Sequence, residues 1–156
     1  MKKIEIGKKI INFKAESTNK DEFVLKDHIG SYIIIFFYPK DNTPGCTQEG
    51  LDFSNISTKL KNLNTKIYGV SRDSIKSHDN FKSKYKYKFD LISDPDEYLC
   101  NLFDVMKEKS MFGKKYMGIE RSTFIINQKG ILIKEWRKVK VNGHSDEVLK
   151  YIKNLD

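Results

Sequence analysis

The chain has 156 residues, of which 38% are hydrophobic and 12% aromatic, and its formal net charge is +8. This length predicts one domain over residues 1–156, and the apolar content excludes a globally disordered chain. The longest apolar run, Ile33–Tyr38, is too short to cross a membrane, and Met1–Lys14 lacks the apolar stretch of a signal peptide. We therefore expect a cytoplasmic protein with no membrane partner.

The first predicted elements are three strands and a helix. Ile10–Phe13 and Glu22–Leu25 are typical of short strands. Ile33–Tyr38 predicts a strand buried on both faces, because its six apolar residues do not alternate with polar ones. Pro39 ends this strand, and an amphipathic helix is predicted from about Thr43 to Leu63.

The middle of the chain continues this alternation of strands and helices. Ile67–Ser71 predicts a strand, and the helical spacing of the residues from Ile75 to Tyr85 predicts a helix. Asp94-Pro95-Asp96-Glu97 predicts another helix start, because it offers a capping residue, a proline at the first helical position and acids in the first turn.

The C-terminal part predicts a hairpin and a final helix. A polar loop is predicted over Lys107–Glu120, and the strands Ser122–Ile126 and Ile131–Trp136 form the hairpin that follows it. The last helix is predicted to begin at Ser145. The order of elements predicts an α/β fold with a mixed central sheet flanked by helices, in which sites collect at the carboxyl edge of the parallel strands.

The basic charge is spread along the chain and rests mainly on lysine. Only three of the 29 basic residues are arginine, namely Arg72, Arg121 and Arg137. We interpret the basicity as a compositional preference and expect no nucleic-acid partner. In a chain that avoids arginine, an arginine indicates a position that needs a planar, always-charged group. We nevertheless expect Arg72 and Arg137 to lie at the surface.

One of the two cysteines, Cys46, lies in a distinctive segment that directly follows the buried strand. Thr43 is a good N-cap, Pro44 suits the first helical position, and Gly45 lets another molecule approach the backbone. Cys46 then falls in the first helical turn, where free N–H groups and the helix dipole favour a thiolate over a thiol. A lone cysteine is usually a small buried hydrophobe, but this context favours a reactive thiol.

Two segments resemble the peroxiredoxin family, and in particular its bacterioferritin comigratory protein or peroxiredoxin Q subgroup. Phe36-Phe37-Tyr38-Pro39 through Thr43-Pro44-Gly45-Cys46-Thr47 is similar to the active-site signature Pro-x3-Thr-x2-Cys. Lys114 to Phe124, with Arg121 before the hairpin strand, also resembles that subgroup. The resemblance covers essentially the whole chain and implies a thioredoxin-like fold with an N-terminal strand pair.

The resemblance implies a thioredoxin-dependent hydroperoxide reductase and assigns roles to five residues. Cys46 would be the peroxidatic cysteine, which becomes a sulfenic acid, and Arg121 would hold its thiolate and the peroxide. Thr43 would hydrogen-bond the peroxide while also capping the helix. Pro39 would shield the thiolate from water, and Glu49 would orient Arg121, although a solvated helix acid is a nearly equal interpretation of Glu49.

The sequence departs from the subgroup in its second cysteine. Many members carry a resolving cysteine five residues after the first, where this chain has Leu51, and others carry it on the next helix, where Ile75–Tyr85 has none. Cys100 is a possible resolving residue, but a buried packing thiol is the stronger interpretation. The resemblance therefore implies recycling by an external thiol such as thioredoxin, glutaredoxin or glutathione, and we expect a monomer.

Other kinds of site have little support in the sequence. His28, His78 and His144 have no metal-ligand spacing, so surface or capping roles are expected. No dinucleotide or phosphate-loop motif occurs, so no cofactor or metal is expected. Two alternative functions remain open: a thiol-disulfide oxidoreductase or redox chaperone on the same fold, which the missing CxxC argues against, and a basic polyanion-binding module.

Overall fold

The computed structural model describes residues 2–20 and 22–155. A seven-stranded mixed sheet forms the centre, and helices pack against it. The strands are β1 Lys14–Ser17, β2 Glu22–Val24, β3 Tyr32–Phe37, β4 Thr65–Ser71, β5 Asp90–Ser93, β6 Met106–Met111, β7 Lys114–Ile119, β8 Ser122–Ile126 and β9 Leu132–Trp136. The helices are α1 Pro44–Asn55, α2 Ser57–Asn62, α3 Ile75–Tyr85, α4 Tyr98–Leu102 and α5 His144–Lys153.

Strand β3 lies near the centre of the sheet, whose order is β2-β1-β5-β4-β3-β8-β9. It pairs in parallel with β4 and antiparallel with β8. Strand β5 continues the parallel part, and the strand pair β1–β2 is joined to it antiparallel. This arrangement confirms the predicted mixed sheet, the thioredoxin-like fold and the N-terminal strand pair.

Two hydrophobic clusters lie on opposite faces of this sheet. Side chains alternate along a strand, so Ile33, Ile35 and Phe37 enter one cluster and Ile34 and Phe36 enter the other. All five are at most 1% exposed. The prediction of a strand buried on both faces is therefore confirmed.

Several element boundaries differ from the sequence prediction. Ile10–Phe13 is not a strand: Ile10 and Phe13 are buried in the core, but β1 begins only at Lys14. The long helix predicted from Thr43 to Leu63 is interrupted at Ile56, whose backbone leaves the helical region with φ −101° and ψ 4°. The sequence pattern predicts no strand over residues 90–93, where the structure has the short strand β5.

The helix predicted to start at Asp94 begins four residues later. Glu97 adopts a left-handed conformation and precedes α4, which starts at Tyr98. Asp94 still caps this helix over the longer turn, because its carboxylate accepts hydrogen bonds from the N–H groups of Leu99 and Cys100 at 3.0 and 2.8 Å.

A second hairpin replaces the polar loop predicted over Lys107–Glu120. Strands β6 and β7 pair only with each other and form a separate two-stranded sheet. The buried Ile119 anchors the base of this hairpin opposite Met106, whereas most of its length is exposed. Among the described residues, none of the helices has the length and apolar character needed to span a bilayer.

Candidate active site

Cys46 lies in the first turn of helix α1, after the loop that connects this helix to strand β3. The strand ends at Phe37, a loop follows, and Thr43 occupies the N-cap position before Pro44. The first hydrogen bond of the helix runs from the Thr47 N–H to the Thr43 carbonyl, so the N–H of Cys46 belongs to the first, unpaired turn. The thiol itself is only 2% exposed.

Arg121 reaches Cys46 because β8 runs antiparallel to β3. Phe37, at the end of β3, pairs with Ser122 at the start of β8, so the residue before Ser122 lies at the edge where the active-site loop begins. Arg121 Nη2 donates to Cys46 Sγ at 3.4 Å, and its Nη1 donates to Glu49 Oε1 at 2.6 Å. The structure thus brings together Cys46, Arg121 and Glu49, three of the residues singled out in the sequence.

Gly45 makes room for this guanidinium. A Cβ atom at position 45 would lie 3.2 Å from Arg121 Nη2, a tight contact at the atom that donates to Cys46. The sequence suggested that Gly45 admits another molecule to the backbone, whereas the structure places the chain's own Arg121 in that space.

Glu49 is a buried acid with an unusual proton affinity. Burial raises its pKa to about 7, while the neighbouring Arg121 acts in the opposite direction. Its Oε2 atom is buried and has no hydrogen-bond partner among the described residues. For Arg121, burial disfavours the charged form, but Glu49 and Cys46 outweigh it and raise the pKa. The alternative of a solvated helix acid is wrong, because Glu49 is only 1% exposed.

Thr43 and Pro39 shape the loop that leads to Cys46. Thr43 stands at the N-cap, but its hydroxyl donates to the Lys40 carbonyl at 2.8 Å and makes no side-chain cap hydrogen bond. The expected capping bond is therefore wrong, although the hydroxyl oxygen keeps lone pairs that can accept a hydrogen bond. Pro39 is half-buried and follows the buried Tyr38 directly.

The sequence patterns do not predict a buried hydrogen-bond network that lies under the same loop. Asp41 accepts hydrogen bonds from Tyr38 Oη at 2.6 Å and Ser77 Oγ at 2.8 Å, and His78 Nδ1 lies 2.7 Å from its Oδ2. His78 Nε2 faces the Ile92 carbonyl at 2.9 Å, and a carbonyl can only accept. Nε2 is therefore the donor in this contact, and Nδ1 faces the Asp41 carboxylate. The position of His78 on the apolar stripe of α3 was the available signal.

We expect His78→Ala to destabilise the fold strongly, since it opens a cavity and removes one of the hydrogen-bond partners of the Asp41 carboxylate. The Asp41 and His78 side chains are 4% and 0% exposed, and truncating a large buried side chain to alanine costs about 3 kcal/mol or more. Urea unfolding measures the loss. The matched control is His28→Ala, at a partly exposed histidine, with an expected cost of about 1 kcal/mol. Equal losses in the two variants would contradict this assignment.

This network also resembles a cation site in its geometry. Ligand atoms of Asp41, Asp73 and His78 lie within 4.8 Å of one another. Asp73 Oδ2, however, already accepts from Ser71 Oγ and from the Asp41 N–H, so donors of the protein itself occupy the cluster. We interpret it as a hydrogen-bond network that holds the active-site loop.

Other histidine and arginine predictions need correction. His78 and His144 are buried rather than at the surface, and His144 Nε2 lies 2.8 Å from Thr123 Oγ1. Arg137 is not a free surface cation, because it donates to two backbone carbonyls, those of Phe103 and Asp104. Arg72 is partly buried and pairs with Glu97 at 2.9 Å. Arg121 and Arg137 thus donate through more than one nitrogen of a planar fork, whereas Arg72 makes a single ion-pair contact.

Lys109 is a partly buried residue of the β6–β7 hairpin. Burial lowers its pKa first and Arg121 adds to this effect, whereas Cys46 acts in the opposite direction. Its aliphatic stem crosses Gly118, where an added Cβ would lie 3.1 Å from Lys109 Cδ. The base of the hairpin lies close to Arg121 along the chain, because β7 ends at Ile119.

Cys100 lies on the other face of the sheet from Cys46. Cys100 belongs to the cluster of Ile33, Ile35 and Phe37, whereas Cys46 belongs to the opposite cluster, and both thiols are free. Burial raises the pKa of Cys100, and Asp94 adds to this effect. The geometry fits the packing interpretation of Cys100 and places the sheet between the two thiols.

Comparison with known proteins points to one family. A model described as the AhpC/TSA family matches residues 6–135. Peroxiredoxin Bcp of Xanthomonas campestris is 55% identical over 129 residues, covering 83% of this chain and 81% of that protein. Peroxiredoxin Bcp of Bacillus subtilis is 47% identical over 152 residues, covering 97% of both chains.

Solved structures show the same likeness. The chain matches a Xanthomonas campestris bacterioferritin comigratory protein, described for its alkyl peroxide reduction activity, with a TM-score of 0.87, 50% identity and 90% coverage of both chains. A cysteine-to-serine mutant of Xylella fastidiosa PrxQ matches with a TM-score of 0.92, 41% identity and 98% coverage of both chains.

Proposed function

The chain belongs to the AhpC/TSA family and is a thiol-dependent peroxidase of the peroxiredoxin class, and we propose that Cys46 carries its chemistry. The observation that supports this proposal is the Arg121 guanidinium, which is shared between Cys46 Sγ and the buried Glu49. Neither the oxidoreductase nor the polyanion-binding alternative is favoured by the relatives. We also propose that the whole chain works as one domain, because one sheet joins strands from Lys14 to Trp136.

The proposed reaction transfers one oxygen atom to sulfur. The Cys46 thiolate attacks the terminal oxygen of a hydroperoxide ROOH, so that an S–O bond forms while the O–O bond breaks. The products are Cys46–SOH and RO⁻, and RO⁻ takes a proton to leave as water or an alcohol. Sulfur is oxidised and the peroxide is reduced by the same two electrons.

Fixed hydrogen-bond partners around the thiolate lower the barrier for this step. Negative charge grows on the departing oxygen, and donors held in place stabilise it without reorganising. We assign this role to Arg121 and to the N–H of Cys46. The Thr43 hydroxyl, whose proton is engaged by Lys40, accepts a hydrogen bond from the peroxide O–H and so orients it. Pro39 keeps the loop rigid and limits water at the thiolate.

We propose that recycling uses an external thiol. Position 51 is a leucine, and Cys100 lies beyond the sheet. Xanthomonas campestris peroxiredoxin Q structures carry serine in place of one or the other of two cysteines, and the same spacing counted from Cys46 falls on Lys82 here. A thiol R′SH then converts Cys46–SOH to a mixed disulfide and water, and a second thiol releases Cys46–SH and R′SSR′. Thioredoxin, glutaredoxin and glutathione fit this chemistry, and a monomer suffices for it.

One equivalent of hydrogen peroxide should add the mass of one oxygen atom to the reduced protein, located on Cys46. The reason is that no second thiol shares its face of the sheet, so the sulfenic acid persists or is captured by an added thiol. Non-reducing mass spectrometry with peptide mapping measures this product. A Cys46–Cys100 disulfide would refute the external recycling, and an unmodified Cys46 would refute the peroxidase assignment itself.

The raised pKa of Glu49 predicts opposite pH effects on activity and stability. As the pH rises through about 7, Glu49 ionises and holds Arg121 more firmly, so the peroxide reduction rate should increase. Stability should change the other way. A folded pKa above the usual 4.5 means that the folded state binds more protons, so the contribution of Glu49 is complete below 4.5 and is lost by about 7.

The variant Glu49→Gln tests both effects, because glutamine cannot ionise. In this variant, the rate of peroxide reduction should rise less as the pH passes through about 7. Its unfolding free energy should also vary less between pH 4.5 and about 7. Glu16→Gln, at an exposed acid on β1, is the matched control and should behave as the wild type. Identical profiles for Glu49→Gln and the wild type would exclude this role.

A further inference from the structure

The tip of the β6–β7 hairpin concentrates exposed apolar side chains. Of the eight large hydrophobic residues that are exposed in the described part of the chain, four lie within residues 111–117. Met111 is 56% exposed, Phe112 97%, Tyr116 43% and Met117 54%. Clusters of this kind mark sites of interaction in soluble folds.

Phe112 is presented outward by a turn that costs conformational energy. Its φ is +52°, a region that bulky residues rarely adopt, and Gly113 follows with φ +79°. Two consecutive residues with positive φ form the tight turn that fits the twist of a two-residue hairpin. A nearly fully exposed aromatic ring at such a position has no packing role within the chain that would explain it.

Two of the four apolar residues, Met111 and Tyr116, share one hairpin face with lysines, whereas Phe112 lies in the turn and Met117 pairs with Glu108 on the opposite face. Directly paired residues of an antiparallel hairpin lie on the same face, and the pairs Lys107–Gly118, Lys109–Tyr116 and Met111–Lys114 alternate with the others. This face, the lysine face, therefore carries three lysines, Tyr116 and Met111, and no acid. The hairpin's one acid, Glu108, lies on the opposite face, where it is 4.0 Å from Lys115.

We propose that the hairpin tip docks on an anionic lipid bilayer surface. Its apolar side chains would enter the interface, while Lys109 and Lys114 on the lysine face would contact acidic headgroups. Lys107 is instead paired with Asp104 at 3.4 Å. The sequence predicted no membrane partner because no segment can span a bilayer, but surface docking needs only an exposed apolar tip and flanking cations. The net charge of +8 favours the same surface.

A bilayer suits this tip better than a protein does. A specific protein interface buries about 1,000 Å² or more. The tip instead projects from a two-stranded sheet that is separate from the main sheet, and it offers only a few side chains. A fluid surface can surround such a projection without a shaped partner.

Docking through the tip would hold the active site near the bilayer surface. Strand β7 ends at Ile119, two residues before Arg121, whose guanidinium donates to Cys46 Sγ at 3.4 Å. This consequence rests on the proposed function and implies acyl-chain hydroperoxides as substrates. The docking itself does not, since it depends only on the hairpin.

Co-sedimentation with vesicles tests the docking without relying on activity. The wild-type chain should bind vesicles of equal parts phosphatidylglycerol and phosphatidylcholine, and bind pure phosphatidylcholine much less. Phe112→Asn removes the ring but keeps a residue that tolerates positive φ, and it should lower the partition coefficient roughly tenfold or more. Lys114→Gln should lower it about fivefold.

Matched variants distinguish binding through the hairpin tip from nonspecific attraction of the basic chain to anionic vesicles. Ile11→Asn removes another exposed apolar residue, and Lys61→Gln removes a cation beside the start of β4, so both should bind as the wild type. Cys46→Ser should also bind normally, and Phe112→Asn should still reduce hydrogen peroxide in solution, which shows that it is folded. No binding to anionic vesicles, or an undiminished binding of Phe112→Asn, would overturn the proposal. Self-association of the lipid-free chain that Phe112→Asn abolishes would overturn it in favour of a second copy.

Discussion

Cys46→Ser should abolish peroxide reduction, with a fall in kcat/KM of roughly four orders of magnitude or more. Serine keeps the shape of the helix start, but its hydroxyl remains protonated at neutral pH even beside Arg121, so no strong nucleophile is present. The unpaired N–H groups and the guanidinium would still bind a peroxide without reacting. Consumption of hydrogen peroxide and of an alkyl hydroperoxide, with excess thiol as reductant, measures the loss.

Cys100→Ala is the matched control for the same experiment. Cys100 is fully buried on the opposite face of the sheet, so alanine removes a sulfur atom from the core without touching the active-site loop. We expect a modest loss of stability and full activity per folded molecule. Residual turnover in Cys46→Ser would contradict the assignment of the chemistry to Cys46. A folded but inactive Cys100→Ala would contradict it as well.

The parts of the fold with strong local patterns were predictable from the sequence. The apolar side chains of Ile33–Tyr38 can all be buried only if the strand lies between two apolar layers. This segment forms β3, which begins and ends one residue earlier than predicted. The turn after Ser122–Ile126 gives the hairpin of β8 and β9 as predicted. In both cases the pattern of side chains and the tertiary environment require the same structure.

The second hairpin could not be predicted, because its strands have little contact with the core. Over Lys107–Glu120 most side chains are polar or exposed, so no alternation marks the strands. Backbone pairing is the main link between β6 and β7, and it leaves no trace in hydrophobicity. Strand β1 was displaced for a related reason, since Lys14–Ser17 is less apolar than the segment before it.

The candidate site was predictable only in part. A strand antiparallel to β3 must start where β3 ends, so the sequence order alone places Arg121 near the loop that holds Cys46. The side-chain network of Asp41 and His78 was not predictable, because it joins a loop, a helix and a strand whose relative positions depend on the whole fold. The replacement of the expected Thr43 cap by a bond to Lys40 is a similar detail of loop geometry.

Arg121→Lys should reduce kcat/KM by about 10²–10³, although it conserves the charge. A guanidinium donates to Cys46 Sγ and to Glu49 Oε1 through two nitrogens fixed in one plane. An ammonium is a single compact charge and cannot hold both positions, and the space over Gly45 that fits a flat group would be poorly filled. The donors at the departing oxygen would therefore be lost in part, and the thiolate would be less well held.

Arg72→Lys is the matched control, since Arg72 also pairs with a glutamate but lies outside the contacts of Cys46. Its rate should equal that of the wild type. The rate of alkylation of Cys46 by iodoacetamide separates the two effects of Arg121: a small change there with a large fall in peroxide reduction would place its main contribution on the O–O bond. An Arg121→Lys variant as active as Arg72→Lys would show that the mechanism does not need a guanidinium. Lysine carries the same charge but lacks a planar donor with two nitrogens.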